Sequence, residues 1–95
     1  MTPKDVLKDA REWLSDPEHW CKGSLGSREE GHTCLLGALL TSSRPDTEEE
    51  QAAVTVVIKI IRALYGRSTL GFNDDPDTKH EDVLKVLDAA IERAS

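Results

Sequence analysis

Hydrophobic positions in this 95-residue chain recur at helical spacing in four places. In the first, Val6, Leu7, Ala10, Trp13 and Leu14 fall three and four residues apart and define one buried stripe. Thr2 before Pro3 supplies the opening, a hydroxyl cap followed by a proline at the first helical position, where its missing N–H costs nothing. Asp16-Pro17 ends or kinks this helix, because the residue before proline avoids the α region. A short turn through His19-Trp20 can follow. Residues 22–31 hold three glycines and two serines and read as a loop. Thr33 can then cap a second helix, Cys34 to Thr41. Its Leu35, Leu36, Ala38, Leu39 and Leu40 cover nearly every face, so it is expected to be buried. Ser42 to Asp46 is a connector containing Pro45.

The third pattern carries a conflict. Thr47 followed by Glu48, Glu49 and Glu50 is a strong helix start, with a capping hydroxyl, a capping-box glutamate and acids at the positive end of the dipole. The body that follows, Val54 to Ile61, has seven β-branched residues in eight, which is strand composition. Yet Thr55, Lys59 and Arg62 fall four and three residues apart, a single polar stripe on an otherwise apolar helix. Gly66 is a natural C-terminal stop, and helix is the reading that satisfies all of these. The fourth helix opens at Thr78, with Glu81 completing a capping box. Val83, Leu84, Leu87, Ala90 and Ile91 carry its apolar stripe to the C-terminus. Together these patterns predict an all-α, compact four-helix domain over residues 1–95. A Gly/Ser loop follows the first helix, and an Asp-rich loop, residues 66–78, precedes the last.

Charge narrows the classes of function. Eighteen acids against twelve Lys and Arg give a net charge of -6 and a sequence pI near 4.9. No basic cluster offsets this, so a nucleic-acid backbone would be repelled. The chain shows no charged-then-apolar leader, and its longest apolar run, Ala52 to Tyr65, is too short for a membrane span and is broken by Lys59 and Arg62. The expectation is a cytoplasmic protein that binds neither nucleic acid nor membrane. Its two cysteines are then expected to be reduced thiols.

Two stretches look like ligand sites at first sight. Residues 19–34 read His-x-Cys, ten residues, His-x-Cys, placing His19, Cys21, His32 and Cys34 within sixteen positions. Structural zinc commonly uses Cys-x2-4-Cys or His-x3-5-His knuckles, whereas residues two apart on a helix point about 200° away from each other. Cys34 also opens an apolar run, which is how packed thiols look. The reading is therefore no metal and no cofactor. In the second stretch, Asn73, Asp75 and Asp77 mimic positions one, three and five of a calcium loop. Thr78 stands where the glycine is needed and Leu84 where the bidentate glutamate is needed, so that motif fails. Asx turns leading to a helix cap explain it instead. Nucleophilic catalysis has no strained nucleophile turn and no oxyanion site to support it, and the glycine-rich loop lacks a P-loop lysine.

Several residues nevertheless form a familiar set: Trp20, then Cys34-Leu35-Leu36-Gly37-Ala38, then Asn73-Asp74, then Thr78 with Asp82-Val83 opening the final helix. The chain, from Trp20 to Ile91, resembles a family of small helical proteins of uncharacterised function from actinobacteria and their bacteriophages. The resemblance implies an all-helical domain in a phage or actinobacterial setting and transfers no catalytic residue.

These observations give three functional expectations. The leading one is a small, non-enzymatic interaction module, phage-encoded, that binds a host protein. The third helix is apolar on all but a narrow stripe, so it either forms the centre of the bundle, the favoured reading, or binds another chain in part, of which a homodimer through residues 48–65 is the natural version. The alternative is a small-molecule-binding or enzymatic domain with a pocket near Trp20, Cys34 and Asn73-Asp74. A weaker alternative is an acidic DNA mimic. Trp20, Cys34, Asn73 and Asp74 are the candidate residues for either a binding site or a structural clamp. In an antiparallel bundle the end of the first helix and the start of the last share one end, and a buried indole N–H there seeks an Asn or Asp acceptor.

Overall fold

A computed structural model describes residues 2–40 and 47–94. The helix of residues 3–14, α1 (Pro3–Leu14), is capped by Thr2, whose hydroxyl accepts from the Asp5 amide while the Asp5 carboxylate accepts from the Thr2 amide. It ends before Asp16, whose side chain caps a single 3-10 turn over Pro17–His19. Next come two very short strands, β1 (Gly26–Ser27) and β2 (His32–Thr33), paired antiparallel with Gly26 opposite Thr33. Then follow α2 (Leu35–Leu40), α3 (Thr47–Tyr65), α4 (Thr69–Asp74) and α5 (His80–Arg93).

Helix prevails over the β-branched composition of α3. Its buried face, Ala53, Val57, Ile60 and Ile61, keeps helical spacing, and burial against α1, α2 and α5 outweighs the small intrinsic preference of Val and Ile for strands. Thr55 points its hydroxyl back to the Gln51 carbonyl, 2.9 Å away, which removes its competition with the helix ladder. Gly66 ends the helix at φ 66°, with its amide on the Arg62 carbonyl.

The architecture is mostly helical, yet it is not the four-helix arrangement that the periodicity suggests. Among the described residues there are five α-helices and a two-stranded sheet. The loop of residues 22–31 contains β1, and the Asp-rich loop contains α4. Three caps also differ. Thr33 lies in β2 with its side chain buried, and Cys34 caps α2 instead, its sulfur accepting from the Gly37 amide at 3.2 Å. Lys79, not Thr78, precedes α5, and Asp82 rather than Glu81 accepts from the capping backbone amide, at 2.9 Å. Thr47 is already inside α3. The expected end of the second helix at Thr41 and the connector Ser42 to Asp46 lie outside the described residues.

One continuous apolar core joins the helices, centred on Leu7, Leu14, Leu35, Leu39, Val57, Ile61, Phe72 and Leu87. The molecule measures 33 × 32 × 18 Å, so its short dimension holds about two helix diameters. A two-layer molecule cannot enclose α3 on all sides. Ile58, Leu64 and Tyr65 are accordingly exposed, as are Leu70 on α4 and Leu40 at the end of α2. No helix among the described residues is long and apolar enough to cross a membrane.

Candidate functional site

The segment after the 3-10 turn runs beside β2. Trp20 forms a parallel bridge with Thr33, and the Cys21 amide donates to the Thr33 carbonyl at 2.9 Å. The β2 chain is thereby paired on both sides, to residues 20–21 on one and to β1 on the other. Where β2 turns into α2, the Cys34 amide donates to the Leu25 carbonyl. Gly37 must lie against that same carbonyl: a Cβ built on Gly37 would meet the Leu25 oxygen at 2.2 Å. No larger residue fits without moving backbone.

Asn73, on α4, closes this assembly. Its Oδ1 accepts from the Trp20 indole N–H at 2.7 Å and from the Leu35 amide at 3.0 Å. Its Nδ2 donates to the Cys21 carbonyl at 3.1 Å and to Asp74 Oδ1 at 3.0 Å. Both acceptor sites and both donors of the amide are used, and the side chain is completely buried. Asp74 Oδ1 also accepts from the Gly23 amide at 2.9 Å, and these two hydrogen bonds, the Gly23 one first, hold its carboxyl below the usual carboxylate range. Lys22 donates to the carbonyls of Asp75 and Thr78 and lies 5.3 Å from the Trp20 ring centroid. His80 brackets the same indole at 6.1 Å and donates to the Leu14 carbonyl, tying α5 to the end of α1.

The structure therefore brings Trp20, Asn73 and Asp74 into one network, with Cys34 adjacent through the Leu35 amide. Burial pushes the Cys34 thiol up in pKa, which keeps it in the unreactive protonated form. The four His-x-Cys side chains disperse. His19 Nδ1 donates to the Trp13 carbonyl at 2.7 Å, Cys21 faces the Ser24 carbonyl, Cys34 caps α2, and His32 Nδ1 is buried without a partner. Among the described residues no group of three or more His, Cys, Asp or Glu side chains could hold a metal ion. The acids of residues 74–77 serve the backbone and α4: Asp75 accepts from the Asp77 amide in an Asx turn and pairs with Arg67 at 2.9 Å.

Among the described residues, three surface depressions are lined by none of Trp20, Cys34, Asn73 and Asp74. A polar cleft of about 340 Å³ is lined by Asp9, Glu12, Trp13, His19 and Arg28. Sequence periodicity placed Trp13 in the core stripe, but it is only partly buried. Its N–H donates to Thr33, His19 stacks on it at 3.8 Å, and Arg28 stands 5.1 Å from its ring centroid. Arg28 also pairs with Asp9 at 2.6 Å and donates to the Ala38 carbonyl. Arg28 sits in the loop, so no spacing signal links it to Asp9. The other two depressions flank α3. One, of about 430 Å³, lies between α3 and α5 beside Leu64 and Ala89. The other, of about 320 Å³, is lined by Leu36, Val54, Ile58, Arg62 and Leu70. Both are mainly apolar.

No curated protein and no solved structure matches the chain. The model of a family of unknown function, DUF6197, matches residues 1–93, and the chain belongs to that family.

Proposed function

We propose that this protein is a non-enzymatic interaction module whose docking face is the apolar surface along α3. The observation that carries the reading is the exposure of Ile58, Leu64, Tyr65 and Leu70 beside two apolar depressions in so small a molecule. The Asn73 network supports it from the other side. An amide with every donor and acceptor already engaged has nothing left for a ligand, so Trp20, Asn73 and Asp74 act as a clamp on the fold, and the pocket reading loses its polar anchor. The occupant is a protein in the cytoplasm. The phage or actinobacterial setting that the resemblance implies makes a host protein one candidate, and a second copy of the chain is the other.

The test immobilises wild type and the Ile58→Glu/Leu70→Glu variant, and challenges each with purified chain and with actinobacterial lysate. Both substitutions are on the surface, so the variant is expected to melt as wild type does. Binding seen with wild type and lost with the variant supports the reading. Equal binding by both, or none by either, contradicts it.

A further inference from the structure

We infer that the occupant of the Ile58 and Leu70 side of the α3 face is α3 of a second copy, packed antiparallel about a two-fold axis beside Thr55; this rests on the docking reading above. Among the exposed and half-exposed residues of α3, Glu48, Gln51, Ala52, Thr55, Ile58, Lys59 and Arg62 form one stripe at spacings of three and four, with Ala63, Leu64 and Tyr65 outside it. The stripe changes character along its length. Its first turn is acidic and its last turns are basic. Placed antiparallel about Thr55, Glu48 stands opposite Arg62 of the second copy, Gln51 opposite Lys59, and Ala52 opposite Ile58, each pair occurring twice. An isologous contact has to be self-complementary, and this stripe is.

The centre of the stripe suits close approach. Ala52 and Thr55 are small, so two helices can come together there, and Ile58 of each copy covers Ala52 of the other. Leu36, Val54 and Leu70 border the stripe and would be shielded with it. Charge decides the direction. A parallel pair would set Glu48 against Glu48 and Arg62 against Arg62 and align the two helix dipoles. The antiparallel pair opposes unlike charges and unlike dipole ends.

Two measurements test this on the whole chain. Sedimentation of wild type over about a hundredfold concentration range should show the 10.5 kDa species giving way to its dimer. Ile58→Glu should abolish the dimer, and Arg62→Glu should weaken it at least tenfold. Glu48→Arg together with Arg62→Glu should restore it. In a Cys21→Ser background, Thr55→Cys should form an intermolecular disulfide on mild oxidation far faster than a control cysteine at exposed Lys85. Wild type that stays monomeric throughout, or a Thr55→Cys variant no faster than the control, overturns the inference. The docking reading itself would still stand if a lysate protein bound wild type and not the Ile58→Glu/Leu70→Glu variant, so the two failures are separable.

Discussion

Asn73 shows how one side chain can organise three segments that are far apart in sequence. It ties residues 20–21, the start of α2 and α4 through four hydrogen bonds, all inside the molecule. Removing it strands the indole N–H, the Leu35 amide and the Cys21 carbonyl, and each buried orphan costs about 1–3 kcal/mol. Asn73→Ala is therefore expected to lose about 3 kcal/mol or more and to lower Tm by more than about 10 °C. Thermal unfolding followed by circular dichroism would show it, and a change of under about 2 °C would refute the clamp. Gly37→Ala is a second test at this scale. The Leu25 carbonyl occupies the space a methyl group needs, so overpacking of about 1–3 kcal/mol is expected, where an exposed helical Gly→Ala would stabilise. Chemical denaturation would give the sign.

Asp74 adds a pH dependence. Its folded-state pKa is depressed by the Gly23 and Asn73 hydrogen bonds, so folding favours the ionised carboxylate. The stabilisation is fully present above the ordinary carboxylate pKa of about 4 and is lost as pH falls through the lower folded-state value. Denaturation midpoints measured from pH 6 downward, about two units past that point, should fall less steeply for Asp74→Asn than for wild type. Parallel slopes would show that the carboxylate contributes nothing to folding.

At the scale of elements, length and regularity separate what the sequence reveals from what it hides. α1, α3 and α5 each bury one stripe over three or more turns, so their apolar spacing is written into the chain. α4 has only six residues, and its composition, Thr69 to Asp74 with Gly71 and Asn73 inside, carries turn signals. Tertiary contacts hold it: Ser68 caps it through the Gly71 amide, Phe72 packs on Tyr65 at 4.5 Å, and Asn73 is locked by its partners. The two-residue strands are too short to show any alternation. The meeting of Trp20 with Asn73 was open to inference because a buried indole N–H needs an acceptor. The Leu35 and Cys21 bonds were not, because backbone partners leave no mark on side-chain identity. Backbone chemical shifts across Val54 to Ile61 should be helical throughout. Strand-like values there would remove the α3 face altogether.

At the scale of the whole molecule, two layers of helix leave one long apolar helix incompletely covered. The polar network and the docking face share α4, which carries both Asn73 and Leu70, but substitutions on each side are distinguished by what they damage first. Asn73→Ala should damage stability first, whereas Ile58→Glu should damage association and, at dilution where both are monomeric, leave Tm within about 2 °C of wild type, since surface substitutions usually stay within about 0.5 kcal/mol. Hydroxyl-radical footprinting of the purified wild-type chain, dilute and concentrated, tests the central claim most directly. The account predicts that Ile58, Arg62 and Leu70 become protected at high concentration while exposed Leu25, in the loop of residues 22–31, keeps its reactivity. Unchanged reactivity of Ile58 and Leu70 across the range would contradict it.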